Sequence, residues 1–201
     1  MAIAALIMAG GKATRMQNIA EKPLLQVGDK PMIQRVIEAL KDSGAVSRIV
    51  VSVTSDTQQT ADTARRLGVE VTQTAGGGYE QDMRQAVKTL SLEDVIVVSA
   101  DLPFLSPKII DSAVKNYHSS GKPALMVAAP IGLFEKLRMK PSYTFDLSGQ
   151  QLAPVGLNVI NGRQIDETML DEMVLVAKDE DLVFNVNTPA ELQSARNRLG
   201  H

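Results

Sequence analysis

The chain of 201 residues has no cysteine, no tryptophan and two histidines, with four phenylalanines and three tyrosines. Without cysteine there are no disulfides, thiolate zinc sites, iron–sulfur clusters or cysteine nucleophiles, which is compatible with a reducing cytoplasm. An aromatic share of 3% and a formal net charge of −2 leave neither stacking platforms nor a basic groove, which argues against nucleic acid as a partner. No apolar run reaches the roughly 18 residues that a membrane helix needs. Residues 1–11 lack a basic flank and run into Gly10-Gly11-Lys12, so they read as a buried strand instead of a leader. The expectation is a cytoplasmic protein without a membrane partner. His118 falls late in a surface helix and His201 at the end, so no Ser–His–Asp or Cys–His arrangement supports acyl transfer.

What the chain does have is ordinary globular material: 44% apolar and 22% charged residues, enough for one domain over residues 1–201. Short apolar runs at residues 4–9, 48–53, 69–72, 95–99 and 124–129 read as buried strands. Between them lie amphipathic helices: one marked by Ile33, Val36, Ile37 and Leu40, one over residues 57–67, one carrying Met83, Ala86, Val87 and Leu90, and one from Pro107 to about Tyr117. This alternation predicts a Rossmann-like α/β fold, a mostly parallel twisted sheet flanked by helices with right-handed crossovers. After Pro130 the rhythm changes. Residues 143–145, a turn at Leu147-Ser148-Gly149-Gln150 and residues 152–160 read as a small hairpin inserted against the sheet. Thr188-Pro189-Ala190-Glu191 opens a last helix, with cap, first-turn proline and acid in the expected order.

In such a sheet, ligands bind beyond the carboxyl ends of the strands, here residues 10–23, 54–56, 74–82 and 100–104. Gly10 and Gly11 let the backbone turn tightly and offer N–H groups to an anion, and Lys12, Arg15 and Lys22 add three cations within one loop. The spacing is neither that of a Walker A loop nor that of a dinucleotide fingerprint. A glycine turn with solvated cations is the plain alternative. Asp101, at the tip of the fourth strand, suits a Mg²⁺ ligand, because Mg²⁺ takes one or two carboxylates plus substrate phosphates; capping the turn before Leu102-Pro103 is the other option. The Gly76-Gly77-Gly78-Tyr79 loop suits packing against a base or ribose. Glu80 and Asp82 suit hydrogen bonding to a ligand, or the dipole of the helix they open.

The run from Leu6 to Met16 with Glu21-Lys22-Pro23-Leu24 resembles the signature of the MobA-like nucleotidyltransferases, which have a Rossmann-like, glycosyltransferase A-type fold. Adding the loop at residues 76–82, Ser99-Ala100-Asp101-Leu102, Pro154-Val155-Gly156-Leu157-Asn158-Val159-Ile160 and Phe184-Asn185-Val186-Asn187-Thr188, the chain is similar to the archaeal GTP:adenosylcobinamide-phosphate guanylyltransferases, the CobY family. That resemblance implies GMP transfer from GTP to a corrinoid phosphate with Mg²⁺ as cofactor. It implies nucleotide contacts from Leu6, Ala9, Gly10, Gly11, Lys12, Thr54, Gly76, Gly78, Tyr79 and Asp82, and catalysis by Arg15, Lys22 and Asp101. Gly156 and Asn158 fall where related enzymes approach acceptor or nucleotide, and a homodimer is expected. Asn187 stands where some relatives have a metal-binding aspartate; metal binding and loop bracing both remain open for this amide. Gln17-Asn18 departs from the glycine usual in molybdenum-cofactor relatives. The alternatives are a guanylyl- or cytidylyltransferase for molybdopterin, a phospholactate or a sugar phosphate, and a non-catalytic nucleotide-binding module.

Overall fold

In the computed structural model, which describes residues 2–11 and 21–200, Ile3–Met8 (β1) is buried along nearly its whole length because parallel strands pair with it on both sides. Those neighbours are Val46–Val53 (β4) and Asp94–Ser99 (β6). The other elements are Gln26–Val27 (β2), Lys30–Pro31 (β3), Met32–Lys41 (α1), Gln58–Arg66 (α2), Glu70–Gln73 (β5), Tyr79–Thr89 (α3), Pro107–Ser120 (α4), Ala124–Pro130 (β7), Ile131–Leu137 (α5), Phe145–Leu147 (β8), Gln150–Asn161 (β9), Glu172–Val176 (β10) and Pro189–Leu199 (α6). The main sheet runs β10-β7-β9-β6-β1-β4-β5, with β8 paired to β9 and β2–β3 a separate ribbon. In the main sheet only β9 runs against its two neighbours; the remaining pairings along that order are parallel. The expected Rossmann-like, mostly parallel sheet flanked by helices is therefore what the chain forms.

The amphipathic pattern of α1 buries Met32, Ile33, Val36, Ile37 and Leu40. Pro107 starts α4 at its first turn, and Gly121 ends it in the left-handed region at φ 67°. Thr188 caps α6 by accepting from the Glu191 N–H at 3.2 Å, while the Glu191 carboxylate accepts from the Asn187 N–H at 2.8 Å. Two hydrophobic clusters lie on the two sides of the sheet: a large one takes in α1, α4 and α6, and a smaller one gathers Leu6, Val50, Ala86, Val87 and Val97 beneath α3.

Three features differ from the sequence reading. The ribbon β2–β3, helix α5 and edge strand β10 were not expected, because two-residue strands, a helix of about two turns and a five-residue edge strand are too short to show a clear period. Helix α3 begins at Tyr79, directly on the glycine loop. The hairpin turn falls where expected, with Ser148 and Gly149 both at positive φ, but β9 is no appendage. It is threaded between β6 and β7 in the middle of the sheet. Its alternation has a different cause: Ala153, Val155, Leu157 and Val159 are buried in the core, while Pro154, Gly156, Asn158 and Ile160 line an open cleft.

Candidate active site

Two clefts open beside the carboxyl ends of β1, β4, β5 and β6. The first, of about 340 Å³, is lined by the β1 exit at Ala9, Gly10 and Gly11, by Lys22, Thr54 and Asp56, by the Gly76 and Gly78 loop with Tyr79 and Asp82, and by Asp101. The second, of about 700 Å³, lies over β7, β9 and β10 and includes Gly156, Asn158, Asn185 and Asn187. Tyr79, Ser99 and Asp101 line both. The clefts are therefore one continuous groove with Asp101 at the junction.

Gly10 is fixed by close packing. A Cβ there would lie 2.6 Å from Thr54 Cγ2, while the Thr54 hydroxyl donates to the Gly10 carbonyl at 3.1 Å. Thr54 is itself buried, and the β-branched side chain has no room to yield. Gly76 and Gly78 both have positive φ, 79° and 109°, which only glycine adopts without strain. The loop they form is braced by Asp82, whose Oδ1 accepts from the N–H groups of Gly76 at 2.9 Å and Gly77 at 3.2 Å. Tyr79 is 46% exposed as a whole, yet desolvation of its hydroxyl and the charge of Asp101 push the phenol above its ordinary range.

Lys22 reaches the junction from a short 3₁₀ turn at Lys22–Leu24. Its ammonium donates to Asp101 Oδ2 and, at 2.8 Å, to Asn187 Oδ1. Asp101 is 5% exposed, and its Oδ1 is buried without a hydrogen-bond partner among the described residues. An unpartnered buried carboxylate oxygen is costly, so this atom points to a cationic ligand. Asn187 is brought close because the Val186 N–H donates to the Asp101 carbonyl at 3.0 Å. Its Nδ2 donates to Asn185 Oδ1 at 2.6 Å, so the amide braces this loop and turns its oxygen toward the site. Of the two roles left open for Asn187, this geometry shows loop bracing, while its oxygen accepts from Lys22.

Glu21, which drew no interpretation in the sequence, holds Lys22 in place. Its two carboxylate oxygens accept from the Gln59 and Thr60 N–H groups at 2.8 and 2.6 Å, in the first turn of α2. The α2 N-terminus is thereby satisfied from another part of the chain, because the Thr57 side chain makes no cap bond and instead accepts from Thr54 N–H.

Of the expected site residues, Ala9, Gly10, Gly11, Lys22, Thr54, Gly76, Gly78, Tyr79, Asp82 and Asp101 come together in the first cleft, and Gly156, Asn158 and Asn187 in the second. Leu6 is corrected: fully buried beneath α3, it has no surface toward either cleft, because it sits mid-strand and not at the strand exit. Lys12 and Arg15 lie outside the described residues. Gly156 sits at a register shift in β9 with φ 84°, where a Cβ would meet Ser99 Cβ at 3.3 Å and Asn185 Nδ2 at 3.4 Å. Ser99 and Asn185, quoted above only within longer motifs, and Arg84 and Tyr143, which were not singled out, also line the groove. Among the described residues no helix is long and apolar enough to cross a membrane.

Residues 5–151 match the MobA-like NTP transferase domain. The chain is 32% identical over 199 residues to the adenosylcobinamide-phosphate guanylyltransferase of Methanocaldococcus jannaschii, covering 95% of this chain and 94% of the relative. It is 27% identical to a "Probable molybdenum cofactor guanylyltransferase" of Thermococcus gammatolerans, covering 92% and 95%. Among solved structures, the CMP:2-keto-3-deoxy-manno-octonic acid synthetase complexed with CTP superimposes with a TM-score of 0.75 at 14% identity, covering 99% of this chain and 98% of that one.

Proposed function

The chain belongs to the MobA-like NTP transferase family, and we propose that this nucleotidyltransferase moves GMP from GTP to adenosylcobinamide phosphate, giving adenosylcobinamide-GDP and pyrophosphate. The observation that carries this reading is the joining of a nucleotide-sized cleft to a larger open one at Asp101, in a chain that resembles an enzyme of that activity along nearly its full length.

The acceptor phosphate, with a second pKa near 6, is already an anionic nucleophile at neutral pH, so no general base is required. An oxygen of that phosphate attacks the α-phosphorus of GTP, and the bond from the α-phosphorus to the bridging oxygen breaks to release pyrophosphate. The protein's task is to bring two anions together and to stabilise the departing one. Gly10 and Gly11 offer backbone N–H groups at the β1 exit. An ammonium has three donors, and two of those on Lys22 are taken by Asp101 and Asn187, leaving the third for a phosphate oxygen. Lys12 and Arg15, close by in the sequence, would add charge. The Gly76–Gly78 backbone, held by Asp82, and the Tyr79 ring receive the nucleoside.

Asp101, through its buried Oδ1, would hold Mg²⁺ together with the GTP phosphates, and Asn187, whose oxygen accepts from Lys22, would join it only by giving up that bond. Bound there, the ion supplies charge stabilisation to the transferring phosphoryl group. The reading includes a cytoplasmic location and a homodimer, the latter checked by light scattering. The test of function is pyrophosphate release with each of the four NTPs against adenosylcobinamide phosphate, molybdopterin, phospholactate and sugar phosphates. Release with GTP and adenosylcobinamide phosphate is the expected result; release with a different pair overturns the acceptor or the base, and none in any pairing makes the protein a binding module.

A further inference from the structure

The second cleft has a charge pattern that the reaction outlined above leaves unexplained. Its ionisable lining comprises Glu80, Asp101, Glu167 and Glu172 against a single described cation, Arg84. Burial already holds the Glu172 carboxyl above its usual range, so this wall resists further negative charge. An acceptor carrying a phosphate must nonetheless enter here and bring that phosphate to the junction. Lys22 is engaged with Asp101 and Asn187 and does not line this cleft.

Arg84 is half-buried and makes no ion pair or hydrogen bond among the described residues, although Glu80 lies four positions earlier on the same helix, at the spacing where such pairs usually form. A partly desolvated guanidinium left without an anion among four carboxylates is held for something else. Its place on α3 fits that role. Long side chains on a helix lean toward the helix N-terminus, and that end of α3 is Tyr79, which lines both clefts. Arg84 stands five residues further on, about 7.5 Å along the axis, a span that an arginine side chain leaning back can cover.

We propose that Arg84 receives the phosphate monoester of the acceptor at the mouth of the junction, a role that rests on reading the second cleft as the acceptor site. The planar fork of arginine binds two phosphate oxygens at once, which fixes the phosphate while leaving its third oxygen for attack. It offsets the repulsion of the surrounding carboxylates for the one anionic group on the acceptor. The same carboxylates then favour an acceptor whose body is rich in N–H donors or positive charge over one that is anionic throughout.

The test is steady-state kinetics of Arg84→Gln and Arg84→Lys with GTP and the phosphorylated acceptor that the wild type uses, alongside calorimetry of adenosylcobinamide phosphate and adenosylcobinamide. Arg84→Gln should raise the acceptor KM on the order of 10- to 100-fold and leave the GTP KM and the melting midpoint unchanged, with Arg84→Lys recovering part of the loss. The wild type should prefer the phosphorylated corrinoid, and Arg84→Gln should lose that preference. If the wild type turns over a phosphorylated acceptor and Arg84→Gln keeps its KM within twofold, the assignment of Arg84 is wrong and the acceptor reading stands. If a different phosphorylated acceptor is the one turned over and its KM rises in Arg84→Gln, the assignment of Arg84 holds and the corrinoid reading fails. If the wild type turns over no phosphorylated acceptor, both fall.

Discussion

At the scale of single residues, Asp101 carries the site: one oxygen is taken by Lys22, and the other is buried and unpartnered among the described residues. Replacing it with asparagine keeps an oxygen for Lys22 and removes the charge. Asp101→Asn should therefore lower turnover by a factor of about 100 or more. Its melting midpoint should stay within about 4 °C of wild type, the change expected from roughly 1 kcal/mol in a chain this long. Near-normal turnover under Mg²⁺ would show that Asp101 is not the essential ligand. Gly10 gives a second case, since its missing Cβ is what admits Thr54. Gly10→Ala should destabilise by about 1–3 kcal/mol through overpacking. Thr54→Ser, which deletes the clashing methyl and keeps the hydroxyl, should recover part of that in the double variant. Additive losses in chemical denaturation would mean that the two do not meet.

Among the elements, the decisive joint is between the return of the first loop and α2. Glu21 satisfies the first turn of that helix, and the next residue, Lys22, is thereby delivered to Asp101. Glu21→Ala should cost about 0.5–2 kcal/mol, the value of a lost helix cap, and should also reduce turnover because Lys22 loses its anchor. Glu21→Gln keeps one acceptor oxygen and should fall between the two. If the alanine variant loses stability but keeps wild-type kcat, the anchoring of Lys22 does not matter to the reaction. Strand β9 works at the same scale. Its bulge at Gly156 brings that residue beside Ser99 and Asn185, and its outer face forms the floor of the second cleft.

Across the whole molecule, α4 covers one side of β7, β9 and β10, leaving the other side to the second cleft. One tie of α4 to the sheet is polar: the Tyr117 hydroxyl donates to Asp94 Oδ1 at 2.7 Å. Burial, and then the bond to Asp94, raise the Tyr117 phenol above its ordinary value. The unfolded chain releases this proton near pH 10 and the folded one holds it longer, so the contribution is complete below about pH 10 and is lost as pH rises further. The wild-type melting midpoint should fall from about pH 10 upward. Tyr117→Phe should flatten that fall, with Tyr79 and Tyr143 retaining part of it, and should cost about 1 kcal/mol at neutral pH. A wild-type midpoint that is level between pH 9 and 11 would refute this account.

The sequence by itself determined the local elements with strong periodicity and the exits of the parallel strands. The apolar run of β1, the buried face of α1, the Pro107 and Thr188 helix starts and the Ser148-Gly149 turn all lie in neighbouring residues, where propensity and pattern act. For the same reason Gly10, Gly76 and Asp101 could be named in advance, since a ligand in such a sheet meets the strand ends. The tertiary structure alone decided what depends on distant pairing. That β9 enters the centre of the sheet, that Leu6 turns into the core, that Glu21 caps α2, that Lys22 joins Asp101 to Asn187, and that Arg84 faces a cleft of carboxylates all depend on contacts between remote segments. Period and propensity act over a turn or two of chain, whereas these contacts span 38 to 165 positions where separations are given, and only the packed sheet brings their partners together.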